Sequence, residues 1–337
     1  MPKVTVAIPT CCDRARYVGE AIESVLGQTE RDIEVFVSNN GSTDDTETVV
    51  ASFGDPRLHY AALPNPGGVH LNLNTCLGLG TAPFLAICQD DDYWFPTNLE
   101  RLLDVMDRHR DVGLAHGAFH MVDSDGRNLR EQISWTRLTE DTIEPGEVFI
   151  ERSIAAINRV NMSSALIRRT VLGKETFRTE DDVLCDTGMW MRLARRGDVA
   201  YVSEPLTALR VHPDSSSVRE GINDESRRTT LHEVRLAQIV KERFLSEYGY
   251  EGAELQGFRT LARAWAQHEL LNIVVRTTSP QRSPVDTFTG LREAIGIEPS
   301  LLRKPRTWRV FVASLAGDRG RSVVRRLLGL PRTTVLG

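Results

Sequence analysis

Five consecutive apolar residues, Phe84-Leu85-Ala86-Ile87-Cys88, run into Gln89 and then three carboxylates, Asp90-Asp91-Asp92. A strand of that kind offers no polar face to water, so both its faces must be covered, as in a parallel sheet with helices packed on each side. The flanking sequence fits. Val4-Thr5-Val6-Ala7-Ile8 is a second apolar run ending at Pro9, and Val18, Ala21, Ile22, Val25 and Leu26 then fall on one face of a helix. Ile33 to Val37 reads as another strand, after which Thr43, Asp44 and Asp45 open a helix reaching Val50, with acidic residues where the helix dipole favours them. Residues 55–68 carry Pro56, Pro64, Pro66, Gly67 and Gly68 and read as a loop before a helix over about 69–79. Short apolar runs alternating with helical patterns predict an α/β fold, a Rossmann-like sheet flanked by helices.

Beyond the acidic trio the pattern loosens. Residues 112–122 and 163–167 read as strands around a polar stretch at 123–145, a helix runs through Met189, Trp190, Leu193 and Ala194, and 199–202 is a short final strand. From Glu225 onward the periodicity is helical, and the Ser215-Ser216-Ser217 run marks a boundary, giving a catalytic domain over 1–220 and a helical C-terminal region over 221–337. The chain has 41 basic and 46 acidic side chains, without the basic bias of a general nucleic-acid binder. Residues 301–337 nevertheless hold nine basic side chains against Asp318 alone. Five cysteines without C-x-x-C spacing read as thiols of a reducing compartment, and no apolar stretch approaches the length that spans a bilayer. A cytoplasmic protein, or one peripheral to the inner membrane face, is expected.

Three adjacent carboxylates repel one another, and at a buried strand end they need a cation or a donor network. In open α/β sheets ligands bind beyond the carboxyl ends of the strands, where the trio and the Pro9-Thr10 and Asn39-Asn40 turns would gather. Hard oxygen ligands suit Mg²⁺ or Mn²⁺ held together with a substrate diphosphate. A solvated acidic turn is the competing reading.

These motifs, in order, resemble the family 2 glycosyltransferases, GT-A-fold enzymes that use nucleotide-diphosphate sugars. Val6 to Thr10 is similar to the family's opening strand, Tyr17 to Thr29 to its first helix, and Gly41-Ser42-Thr43-Asp44-Asp45-Thr46 to the turn after its second strand. Asp90-Asp91-Asp92 stands where the family keeps its D-x-D motif, Cys185 to Leu193 resembles the acidic-pair helix carrying the catalytic base, and Leu209-Arg210-Val211-His212 resembles the Tyr-Arg-x-His segment behind it. The resemblance covers residues 4 to about 217. It implies an inverting, hexosyltransferase-type enzyme with nucleotide-sugar contacts in about 1–122 and the acceptor side in about 123–220. Its partners would be a nucleotide-diphosphate sugar, with a UDP-sugar favoured, and a hydroxyl acceptor.

By the same resemblance Pro9, Thr10, Asp13, Asn39, Asn40, Asn74, Asp90 and Asp91 are expected around the nucleotide, Asp92 and His212 at the metal, and Asp186 as general base. Several positions depart from the family. Asn39-Asn40 replace two aspartates, Leu73 replaces an Arg, Cys185 replaces a Glu, and Gly188 replaces a second acid. Glu180, Asp181 and Asp182 are reserve candidates for the base, and Asp186 also reads as a helix N-cap. Trp94 and Trp190 could flank the cleft or fill the core, and Arg14 and Arg16 could reach the nucleotide or stand as exposed helix-start charges. A nucleotidyltransferase would want a glycine-rich phosphate loop with a Lys, which Cys11-Cys12-Asp13-Arg14 does not supply, whereas a non-catalytic nucleotide-sugar sensor remains a rival. In the tail, Trp308, Phe311, Val312 and Leu315, then Val323, Val324, Leu327 and Leu328, form apolar stripes beside arginines. Packing on the acidic body is favoured, with a homodimer contact or an anionic membrane surface as the alternatives.

Overall fold

The computed structural model describes residues 1–11, 14–64, 67–136, 138–212, 227–277, 284–308 and 310. Two compact units emerge, Met1–Ser216 and Ser217–Gly337. The first unit contains, in order, β1 (Val4–Thr10), α1 (Ala15–Leu26), β2 (Ile33–Asn39), α2 (Thr46–Ser52), β3 (Leu58–Ala62), α3 (Val69–Gly78), β4 (Phe84–Ile87), β5 (Tyr93–Trp94), α4 (Asn98–Arg108) and β6 (Val112–Val122). It continues with β7 (Asn128–Ile133), β8 (Thr142–Glu144), α5 (Gly146–Ile154), β9 (Ala165–Arg168), α6 (Arg169–Leu172), α7 (Cys185–Ala194) and β10 (Asp198–Arg210).

These strands form one mixed sheet in the order β3-β2-β1-β4-β9-β6-β10-β5, with β7 added on β6 and β8 on β10. The four strands from β3 to β4 are mutually parallel, and β9 runs antiparallel between β4 and β6. Val4, Val6 and Ile8 of β1 join Val18, Ile22 and Val25 of α1 and Leu99, Leu102 and Met106 of α4 in one buried cluster. On the opposite face α3 packs on β1 and β2, and α7 on β6. Strands β1 and β4, buried along their whole length, are therefore covered on both sides.

Some elements differ from the sequence reading. The loop expected over 55–68 contains β3, an edge strand whose Leu58 and Tyr60 pack against the core cluster. The polar stretch 123–145 contains β7, almost wholly exposed, and β8. The short strand expected at 199–202 runs on to Arg210, because register shifts on either side of Pro205 accommodate a residue that has no N–H to donate. That extension carries Arg210 and His212 to the end of β4.

The described residues of the second unit form the helices α8 (Arg227–Glu247), α9 (Gly252–Thr277) and α10 (Pro284–Ile297). Leu231, Val234, Ala237 and Phe244 are buried along α8, and the Lys241 ammonium lies 3.4 Å from the centre of the Trp265 ring of α9. The apolar stripes expected beyond Val310 lie outside the described residues. Among the described residues no helix is long and apolar enough to cross a membrane.

The start of β4 is fixed by a polar knot. Glu34 of β2 accepts hydrogen bonds from Thr5 Oγ1 (2.6 Å) and from the backbone of Thr81 (2.9 Å) and Ala82 (3.3 Å). Gly80 permits this by adopting φ +62°, and a Cβ there would lie 2.3 Å from Glu34 Oε1 and 2.4 Å from Thr5 Oγ1. Gly80→Ala combines an unfavourable backbone conformation with overpacking, so chemical denaturation should show a loss of about 2 kcal/mol or more.

Candidate functional site

Strand register brings the expected residues together. Thr10, the last residue of β1, pairs with Asn39, the last of β2, while Ala7 pairs with Ile87 at the end of β4. The turn after β4 then places Asp90, Asp91 and Asp92 beside Thr10, all three 9 % exposed or less. The carboxylates point to different partners. Asp90 accepts from Thr10 Oγ1 at 2.7 Å and from Arg14 Nη1 at 2.9 Å. Asp91 Oδ2 lies 3.0 Å from the same Arg14 nitrogen and 3.1 Å from His212 Nε2. Asp92, expected at the metal, instead accepts from Ser163 Oγ at 2.5 Å and from the Arg210 backbone N–H at 2.9 Å.

Arg14 is thus the N-cap of α1 with its guanidinium turned inward, whereas Arg16 is exposed and pairs with Asp125. Arg210 locks the strand end. It donates Nε to the Asp91 carbonyl and Nη1 to the carbonyls of Asp123 and Ser124, pairs with Glu20, and lies 5.0 Å from the Tyr17 ring. Tyr17 in turn packs on the buried His212, with ring centres 4.7 Å apart.

The electrostatics follow from this burial. Removal from water, reinforced by the charge of Asp91, raises Asp90 to about 6 and Asp92 to about 8. Burial opposes the charge of Arg14 as well, but Asp90 and Asp91 outweigh it and hold the guanidinium above its ordinary value. Among the described residues no three His, Cys, Asp or Glu side chains converge as a ready metal cage. The protein offers one carboxylate oxygen and one imidazole nitrogen, Asp91 Oδ2 and His212 Nε2. That set fits Mg²⁺ or Mn²⁺, which keep waters and bind substrate phosphates rather than filling their shell from protein.

Other expected residues turn their side chains into the protein. Asn39 accepts from Ser42 N at 2.8 Å and donates to the Tyr60 hydroxyl at 2.8 Å. Asn40 makes two hydrogen bonds with the Gly67 backbone, and Asn74 makes two with that of Phe177. Asp13 lies outside the described residues. Trp94 and Trp190 are core residues, donating their indole N–H groups to the carbonyls of Ser163 and Val160.

Asp186 belongs to a different cluster, in the first turn of α7. Its half-buried carboxylate accepts from Asn158 Nδ2 at 2.7 Å and Thr187 N at 2.6 Å, and burial raises it to about 6 despite these bonds. Of the reserve acids, Asp181 is buried and pairs with Arg192 at 3.3 Å. A Cβ on Gly188 would lie 2.4 Å from Asp181 Oδ2, so the Asp181 carboxylate fills the space over the position where the second acid is missing. Glu180 and Asp182 are exposed. Burial pushes the Cys76 thiol up to about 12 and raises Cys88 and Cys185 further, so these cysteines pack rather than react.

Ser163, Glu20 and Asn158 have no local signature, since each acts through a partner tens of residues away. Arg210 was visible only as a member of the Leu-Arg-Val-His segment.

Residues 5–164 match the sequence profile described as Glycosyl transferase family 2. Over this stretch the chain is similar to that family. The chain is 24% identical over 246 residues to an uncharacterized glycosyltransferase of Rickettsia typhi, covering 72% of this chain and 74% of that protein. It is 26% identical over 213 residues to an uncharacterized protein of Mycobacterium tuberculosis, covering 59% and 56%. Its fold is similar to that of S. aureus TarS 1-349 in complex with UDP-GlcNAc, with a TM-score of 0.62 at 17% identity over 97% of this chain and 92% of that one. It is also similar to a mannosyltransferase from Pyrobaculum calidifontis in complex with GDP-Man and Mn²⁺, with a TM-score of 0.55 at 17% identity over 97% and 88%. The mixed α/β sheet is the GT-A-like fold expected from the sequence.

The raised Asp186 carboxyl ties stability to pH with a definite sign. Because the native value, about 6, lies above the ordinary 3.8, its contribution to stability is complete below about pH 3.8 and is lost as pH rises through about 6. Asp186→Asn removes that loss, so its melting temperature should exceed the wild type's at pH 7.5 by more than it does at pH 4. Paired thermal melts at the two values check this.

Proposed function

We propose that the chain is an inverting, hexosyltransferase-type glycosyltransferase that moves a sugar from a nucleotide-diphosphate donor, a UDP-sugar by preference, to a hydroxyl acceptor. The observation that carries this reading is the meeting of Asp91 Oδ2 and His212 Nε2, 3.1 Å apart, at the carboxyl end of the central strands. A crevice beyond those ends is where α/β sheets bind nucleotides. The bound UDP-GlcNAc and GDP-Man with Mn²⁺ named for the two fold neighbours support the donor class and the metal.

Asp91 and His212, rather than Asp92, would hold the Mg²⁺ or Mn²⁺. When bound, such an ion offsets the charge that develops on the departing diphosphate. Asp92 anchors the turn to β10 and to Ser163, and Thr10 fixes Asp90 against β1. Pro9, Thr10 and Asp90 line the nucleotide side. Asn39, Asn40 and Asn74 shape the surrounding loops through their backbone partners, with Asp13 assigned to the same side. Asp186 takes the acceptor proton as the hydroxyl attacks the anomeric carbon from the face opposite the diphosphate, and Asn158 together with the Thr187 N–H orients it. A carboxylate of raised affinity for protons suits that role, because it is ionised at neutral pH yet basic.

The test is release of nucleoside diphosphate from a panel of nucleotide sugars, with hydrolysis as the readout until an acceptor is known. Turnover should require Mn²⁺ or Mg²⁺ and stop with EDTA. It should fall below about pH 6, by about tenfold per pH unit, as Asp186 takes up its proton. Asp186→Asn should lose about a hundredfold or more in rate while nucleotide affinity stays within a few fold. Near-normal turnover in that variant would move the role to Glu180 or Asp182. Nucleotide binding without turnover of any donor would favour the sensor reading.

A further inference from the structure

Asp91 Oδ2 has two cationic or potentially cationic neighbours, Arg14 Nη1 at 3.0 Å and His212 Nε2 at 3.1 Å. The same Arg14 nitrogen lies 2.9 Å from Asp90 Oδ1, so one guanidinium spans both carboxylates from a position only 8 % exposed. Its backbone is equally fixed. The Arg14 carbonyl accepts from the N–H groups of Tyr17 and Val18 at the start of α1, and Ala15 N donates to Asp44 at 2.8 Å. Arg14 is thus built into the acidic turn, on the oxygen that the proposed metal site needs.

A guanidinium and a divalent ion sharing one carboxylate oxygen repel each other strongly in a site shielded from water. The repulsion is relieved when an anion lies between them, and a diphosphate, which Arg recognises well through its planar donors, supplies that anion. We propose that Arg14 is an internal counter-cation that makes metal binding conditional on nucleotide: without nucleotide it neutralises Asp90 and Asp91 and opposes the metal, and with nucleotide it transfers its hydrogen bonds from Asp91 to the diphosphate. The inference rests on the metal and nucleotide reading of this site. By reciprocity, whatever nucleotide does for metal affinity metal does for nucleotide affinity, and Arg14 sets the size of that coupling.

Free Mn²⁺ measured by electron paramagnetic resonance gives the affinity of the full chain for the ion alone and with saturating UDP or GDP, independently of turnover. Wild type should bind Mn²⁺ at least tenfold more tightly with nucleotide than without. Arg14→Gln should bind Mn²⁺ alone about tenfold more tightly than wild type, with the enhancement by nucleotide correspondingly reduced and the affinity for UDP or GDP in Mn²⁺ lowered about tenfold. Arg14→Lys keeps the charge on a shorter side chain that does not reach the position of Nη1 between the two carboxylates, and should bind Mn²⁺ alone a few fold more tightly; it carries the test if the Gln variant does not fold. A folded variant that binds Mn²⁺ alone no more tightly than wild type would overturn the inference and leave Arg14 as a structural brace, with the metal reading intact if nucleotide still promotes Mn²⁺ binding. Absence of Mn²⁺ binding in wild type with either nucleotide would overturn both.

Discussion

Three carboxylates buried at the end of a strand that has no polar face of its own must be neutralised by side chains brought from elsewhere, and much of the sheet topology meets that demand. Asp90 is held by Thr10 and Arg14, from the end of β1 and the start of α1. Asp92 is held by Ser163, from the turn before β9, and by the backbone of Arg210, at the end of β10. Asp91 is left between Arg14 and His212. A buried carboxylate deprived of its partners would cost several kcal/mol or take up a proton, so strands distant in sequence are tied to one turn.

The same constraint divides the chemistry between two clusters. The turn after β4 gathers charge, and the start of α7 keeps a single half-buried carboxylate, Asp186, oriented by neutral donors. Negative charge close to Asp186 would raise its proton affinity further and leave it protonated at neutral pH. Placing the excess acid elsewhere, with Asp181 tied to Arg192, avoids this.

The parts of the fold legible in sequence are those where burial dictates residue type. Phe84 to Cys88 is apolar throughout, and Val4 to Ile8 and Ile33 to Val37 are apolar apart from Thr5 and Glu34, because both faces of β1 and β4, and most of β2, are covered. Strands β3 and β7 escaped the pattern because they lie at exposed edges, and most of β10 did because Pro205 breaks the apparent run. Within the site, the acidic trio and His212 were visible as chemistry. The separation of Asp91 from Asp92 was not, since it depends on which way each side chain turns toward Ser163 and Arg210. Arg14 looked equally like a surface charge, because a residue just before a helix is buried only if the following turn carries it inward.

The account stands on Asp91 and His212 being the pair that meets the cation. A crystal of the full chain grown with Mn²⁺ and UDP or GDP, with data collected on either side of the manganese absorption edge, locates the ion without reference to activity. The account predicts one anomalous peak bonded to both Asp91 Oδ2 and His212 Nε2, about 2.2 Å from each, with Asp92 still bound to Ser163 and Arg210. A peak on the Asp92 carboxylate, or one remote from His212, would contradict it.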